Sequence, residues 1–199
     1  MRRLIVHEFM SLDGVMQAPG GKDEDRDSGF AYGGWTWPYW HDDIGKRFGE
    51  IMQNTDAFLL GRRTYEIHAN AFEPMPAGDP FGDMMNAPKK YVVSKTLQKP
   101  IWRNTTIIRD DVVKAVRALK AEPGKNIVTD GSSQLVHELI ANGLVDDLIL
   151  HVYPVTLGGG KRVLPQGVQA SFRLVSAKPY PSGVVALEYE LAPRVGQDR

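Results

Sequence analysis

The chain has 199 residues, a length that suits one domain able to bury a full apolar core without disulfide or metal staples. Acidic and basic residues balance at 24 each, so no global field recruits nucleic acid or an anionic membrane, and any bound anion needs a local arrangement of charge. The sequence has no cysteine, which excludes disulfides, thiolate metal sites, iron–sulfur ligation and cysteine nucleophiles and suits the cytoplasm, the expected location.

Leu4 to Met10 is short, apolar and β-branched, and it stops at the turn signal Ser11-Leu12-Asp13-Gly14. That run is too short for a signal-peptide core or a membrane span. Gln17 to Trp40 has no apolar period and reads as a long functional loop. Trp35, Trp37, Tyr39 and Trp40 crowd its end. They suit either a lid that sets Trp37 and Trp40 against a flat substrate or a fixed cluster pinning the loop to the core or a second copy. Asp42 and Asp43 then open a helix with Ile44, Phe48, Ile51 and Met52 on one face.

Ala57 to Leu60 reads as a buried strand ended by Gly61, and Phe72 to Pro88, rich in Pro, Gly and Met, as an irregular segment. Tyr91–Val93 and Thr106–Ile108 are short strands, and Asp111 begins a helix that Pro123-Gly124 ends. Asn126–Val128 is a strand, followed by Asp130-Gly131 and a helix for which Ser132 and Ser133 are N-cap candidates. A strand from Asp147 to Val155 and a hairpin of Phe172–Ala177 with Val184–Leu191 complete the chain. Buried strands alternating with helices imply a three-layer α/β fold with a mainly parallel sheet and an antiparallel edge hairpin. One domain spans 1–192, and the polar segment 193–199 is expected to fray.

Ligands of open α/β sheets sit beyond the carboxyl ends of the strands, where three motifs of similar chemistry fall. Gly61-Arg62-Arg63-Thr64 offers close backbone approach, two guanidiniums and a possible helix cap, although solvated arginines in an ordinary turn would look the same. Ser94-Lys95 sets a hydroxyl beside a charge. Gly131-Ser132-Ser133 enters a helix whose free N–H groups favour an anion. Together they fit a dinucleotide with an additional phosphate. Asp13 and Glu8 are the candidate proton donors. His41, His68, His137 and His151 lack metal-ligand spacing, and no metal is expected.

Ser11-Leu12-Asp13-Gly14, Gly61-Arg62-Arg63-Thr64-Tyr65-Glu66, Asp130-Gly131-Ser132-Ser133 and Pro154-Val155-Thr156-Leu157-Gly158-Gly159-Gly160 resemble, in order and spacing, the reductase domain of bacterial riboflavin biosynthesis. The likeness runs from about Arg3 to about Leu191. It implies the dihydrofolate-reductase fold and NADPH as hydride donor. It places Gly61, Arg62, Arg63 and Thr64 along the adenosine phosphates, Ser94 and Lys95 by the 2′-phosphate, and Gly131, Ser132 and Ser133 at the pyrophosphate. Where that family opens K-x-A-x-S-L-D-G, this chain has His7 in place of the lysine, and it carries no counterpart of the zinc deaminase domain often fused upstream. It looks like a stand-alone relative, with a homodimer expected.

The expected reaction is hydride transfer to a small flat heterocycle, pyrimidine- or pterin-like, as in the 5-amino-6-(5-phosphoribosylamino)uracil reductase, with Ser11, Trp37 and Trp40 holding the ring. The alternatives are a non-catalytic nucleotide-binding or sensor domain and a dihydrofolate or pterin reductase.

Overall fold

The structure, a computed structural model, describes residues 1–192. The expected frayed tail, 193–199, lies outside the described residues. Strand β1 (Leu4–Ser11) leads through the long loop to α1 (Asp42–Gln53), then β2 (Thr55–Gly61), α2 (Arg62–Phe72), α3 (Pro80–Asn86), β3 (Lys89–Val93) and β4 (Thr105–Ile108). After α4 (Val112–Ala121) come β5 (Asn126–Thr129), α5 (Ser133–Ala141) and β6 (Asp147–Tyr153), and the hairpin is β7 (Ser171–Pro179) with β8 (Val185–Ala192). All eight strands form one sheet in the order β4-β3-β2-β5-β1-β6-β8-β7. The first six run parallel, while β8 is antiparallel to both β6 and β7.

Helices cover both faces because strands buried on two sides must be apolar on two sides. Alternation along β1 sends Leu4 and Val6 into one core with Val116 of α4 and Leu135, Val136 and Leu139 of α5. Ile5 enters the opposite core with Met52 of α1, Tyr65 and Ala69 of α2 and Met85 of α3. Each fully buried aliphatic side chain contributes about 1.5–3 kcal/mol, so this two-sided burial fixes the register of β1. A third cluster, with Trp35, Ile44, Tyr153 and Tyr180, ties the aromatic end of the long loop to β6 and the hairpin.

Two local expectations need correction. The segment from Phe72 to Pro88 contains helix α3, started by Asp79, whose carboxylate accepts the Gly82 N–H at 2.7 Å, and by Pro80 in the first turn. Thr64 does not cap α2. Gly61 holds the N-cap position without a side chain, and Thr64 lies in the first turn, its hydroxyl turned toward Gly131. Ser132 does take the N-cap position of α5, but its side chain makes no capping bond.

Candidate functional site

Because six adjacent strands are parallel, their carboxyl ends fall in one row, and the motifs spread along the chain meet there. In spatial order the row reads Arg109 after β4, Ser94 and Lys95 after β3, Gly61 and Arg62 after β2, Gly131 and Ser132 after β5, and the Ser11 turn after β1. With strands about 4.8 Å apart, β4 to β1 spans about 19 Å.

The middle of the row is tight. The Gly61 N–H donates to the Gly131 carbonyl at 3.2 Å. A side chain at Gly61 would overlap the Ser132 hydroxyl and come within 3.1 Å of the Ser132 nitrogen. At Gly131 a Cβ would lie 2.6 Å from the Thr64 hydroxyl, and φ is +126°. The glycines are therefore required for the packing of two turns on each other. The Gly131–Ser132 peptide is cis. The Ser133 hydroxyl donates to the Arg162 carbonyl at 2.8 Å.

At the β3–β4 end a cleft of about 350 Å³ is lined by Ser94, Lys95, Arg109, Asp110, Asp111 and Glu138, among others. Lys95 and Arg109 are exposed there. The Ser94 hydroxyl accepts the Thr96 and Leu97 N–H groups at 3.2 and 2.9 Å, which fixes the turn and presents Lys95. Arg109 is absent from the sequence-based set. A basic residue directly after a strand, as in Thr106-Ile107-Ile108-Arg109, was the signal available for it.

The two arginines of α2 are engaged within the protein. Arg62 donates to both oxygens of Glu66, at 3.1 and 3.0 Å. Arg63 pairs with Asp27 and, at 3.7 Å, with Asp25. Lys161 reaches Asp25 at 2.5 Å and Asp27 at 3.1 Å. The acidic stretch of the long loop thus straps α2 to the segment after β6. Hydrogen bonds from Arg63 and then Lys161 pull the Asp27 carboxyl down to about 2.

Glu8 and Asp13 differ in environment. Asp13 accepts the Ser11 hydroxyl at 2.6 Å and the Leu157 and Gly158 N–H groups at 3.1 and 2.8 Å. These bonds, the Ser11 hydroxyl foremost, pull it to about 2, so it is ionised and anchors the turn. The Ser11 hydroxyl is committed to the same turn, accepting the Val15 N–H at 2.9 Å. Glu8 is 4% exposed and its Oε1 has no hydrogen-bond partner. Burial, with the Asp130 charge adding to it, raises its carboxyl well above the usual range. Of the two, Glu8 has the properties of a proton donor. Asp130 in turn faces His68, at 3.7 Å from Nε2.

The aromatic group divides. Trp35 is buried, donates its indole N–H to the Gln17 carbonyl at 2.8 Å, and packs edge-on to Tyr153 at 5.3 Å. Trp40, 41% exposed, meets Phe9 of β1 edge-on at 6.4 Å. Trp37 is 62% exposed, donates to the Gly20 carbonyl, and touches the site through Trp40, 5.8 Å away. The face of β1 and β6 beneath α1 carries His7 and His151, both buried, with ring centres 5.2 Å apart. Sequence reasoning missed this pairing, because partners 144 positions apart show no spacing signal. Among the described residues, no helix is long and apolar enough to cross a membrane, and no His, Asp and Glu cluster suits a metal.

The chain is similar to several known proteins. It is 28% identical to the uncharacterized protein YyaP of Bacillus subtilis strain 168 over 192 residues, covering 94% of each. Its fold resembles that of a putative riboflavin biosynthesis protein from Shewanella sp. PV-4, with a TM-score of 0.75 at 17% identity, covering 96% of this chain and 99% of that one. It also resembles dihydrofolate reductase from Enterococcus faecalis complexed with NADP(H), with a TM-score of 0.61 at 17% identity over 96% and 97% of the two chains. The expected dihydrofolate-reductase-like architecture is therefore the observed one. Residues 2–186 match the family described as the RibD C-terminal domain, and the chain belongs to that family of reductase type.

Proposed function

We propose that this protein is a reductase that takes NADPH and reduces a conjugated C=N or C=O bond in a small, flat, polar heterocycle. The observation that carries the reading is the single row of strand ends, where Lys95 and Arg109 flank one cleft and Arg62 and Arg63 follow β2, the next strand in the row. Two exposed cations beside one cleft, with two arginines on the next strand held by carboxylates that a phosphate could displace, suit a ligand with several phosphates. The structural likeness to a dihydrofolate reductase complexed with NADP(H) supports the same choice.

When bound, the dinucleotide supplies the hydride. The chain's own residues do the rest. Lys95 and Arg109 hold the adenosine end, the α5 start receives a phosphate at its free N–H groups, and the loop ending at Trp40 keeps water away from the reacting end. Glu8, whose buried carboxyl retains its proton more tightly than an exposed one, is the proton reserve of this reading, held on the face of β1 opposite Phe9 and Trp40.

The test is cofactor discrimination. A charge-assisted hydrogen bond is worth about 1.5–3 kcal/mol, so Lys95→Ala is expected to weaken NADPH about 10- to 100-fold and NADH far less, read by fluorescence titration. An unchanged NADPH-to-NADH affinity ratio in both Lys95→Ala and Arg109→Ala would falsify the assignment of that cleft.

A further inference from the structure

The sheet extends beyond its helical cover. On the face lined by α4 and α5, apolar side chains run outward in rows across paired strands. One row is Leu148 of β6, Tyr189 of β8 and Leu174 of β7, and the next is Leu150, Leu187 and Ala177. At β6 the rows are buried in the core with α5, Leu148 at 3% and Leu150 at 4% exposure, whereas at β7 Leu174 is 50% exposed and Ala177 is open. Alternation sends the charges of the hairpin to its other face, where Glu190 pairs with Arg173 and Glu188 with Arg47 of α1. The usual arrangement, apolar side inward and polar side to solvent, is thus reversed on the hairpin. Strands β7 and β8 have nine and eight residues. At about 3.3 Å per residue and about 4.8 Å between strands, they present about 300 Å² of sheet. Apolar patches of about 300–600 Å² are the largest that a typical monomer shows, and they are often functional.

We propose that this face seats the same face of a second copy of the chain, sheet upon sheet, in a closed two-fold dimer. The inference does not rest on the reductase reading. A face without charges offers no handle to a nucleic acid, a phosphate or a charged peptide. The balanced chain, 24 acids against 24 bases, sets up no net repulsion between copies. Twisted sheets pack face to face about 10 Å apart, and a two-fold axis through the patch makes the face complementary to itself. The edge of β7 is blunted against strand addition. Val175 is the extra residue of a bulge between Leu174 and Ser176, and the strand ends at Pro179, so the assembly closes at two. The seven residues after Ala192 carry one aliphatic side chain, Val195, too little to line the patch from within the chain. Two such faces bury about 600 Å² of flat sheet, and more once the side chains interdigitate, which puts the pair among reversible dimers rather than permanent ones.

The experiment is sedimentation velocity of the full chain from about 1 to about 200 µM, where a reversible monomer–dimer equilibrium is expected. Leu174→Glu sets a charge at a half-exposed position, so it is expected to fold, read by circular dichroism. It is expected to weaken the dimer about 100-fold, because a two-fold contact carries each substitution twice. Should it fail to fold, Ala177→Glu carries the same expectation. Trp37→Ala lies on the other side of the sheet, beside Trp40 and Phe9, and is expected to leave the dimer unchanged. The proposal is overturned if the wild type stays monomeric throughout that range, or if species larger than the dimer dominate. It also falls if the folded glutamate variants dimerise like wild type, or if Trp37→Ala breaks the dimer. Two further results would assign the face to another occupant. A chain ending at Ala192 that dimerises where the full chain does not makes the C-terminal segment the cover. Neutral phosphatidylcholine vesicles that bind the monomeric wild type but not Leu174→Glu make a bilayer the partner. A dimer formed by a protein that oxidises no NADPH sinks the reductase reading alone.

Discussion

Glu8 and His7 are neighbours in the chain, yet the alternation of β1 sends them to opposite faces of the sheet, and their titrations oppose each other. Burial raises Glu8, so the folded protein binds its proton more tightly than the unfolded chain does. Its contribution to stability is complete below its ordinary value of 4.5 and is lost as pH rises through the folded value. Burial lowers His7, and it lowers His151 to about 4, with the Arg47 charge adding to both. Their contribution is complete above 6.5 and is lost as pH falls, through about 4 for His151. Glu8→Gln removes the alkaline limb only. Its melting temperature is expected to rise relative to wild type on going from about pH 5 to about pH 8. Melting curves of the two proteins that run parallel across that interval would remove Glu8 from the titration.

At the scale of elements, the junction of the β2–α2 and β5–α5 turns is held by what is missing, two side chains. Gly61→Ala sets a methyl against the Ser132 hydroxyl and backbone nitrogen, and is expected to destabilise by about 1–3 kcal/mol in urea unfolding. Ser132→Gly in the same chain removes the nearer atoms and is expected to recover part of the loss, a coupling readable from a double-mutant cycle. Additive losses would mean that the two turns do not press on each other. These glycines were legible in the sequence because each follows a short apolar strand at a strand-to-helix turn. The strands and the amphipathic helices were legible through their periods. Helix α3 was not, because its seven residues are too few to display a period and Pro80 reads as a breaker until it is seen in a first turn. The partners of Arg62 and Arg63 differ in how far the sequence reveals them. Glu66 is one helical turn from Arg62, within local reach, whereas Asp25 and Asp27 meet Arg63 only through the path of an irregular loop. The His7–His151 pair depends on β6 being placed beside β1, which no local pattern encodes.

For the molecule as a whole, the strap of Asp25, Asp27, Arg63 and Lys161 links three segments remote in sequence. It also engages an arginine that a polyphosphate ligand would use. Exposed pairs of this kind are worth up to about 1 kcal/mol, so Asp25→Asn with Asp27→Asn is expected to tighten NADPH about two- to fivefold. The same change is expected to quicken proteolysis between Gly20 and Gly29 in the free protein. Equal affinity and equal cutting rates in the double variant would show the strap to be independent of the anion site.

The position of β1 bears on how the chain is made. The first strand of this domain to be synthesised sits in the interior of the sheet, and both its neighbours come late: Leu4 pairs with Ile127, and Ile5 with Asp147. Arg2 waits for the carbonyl of Lys125, 123 residues on. At about 5–20 residues per second, synthesis keeps that strand unpaired for about 6–25 seconds, with Leu4, Ile5 and Val6 adjacent and apolar. The β2–β3–β4 sector can assemble earlier, but the row of strand ends stays divided until β5 and then β6 arrive on either side of β1. A nascent chain thus carries the Gly61-Arg62-Arg63 half of the site well before it has a Gly131 half to set against it. The unpaired, apolar β1 is thus a segment of the nascent domain that a chaperone would cover until β5 and β6 arrive.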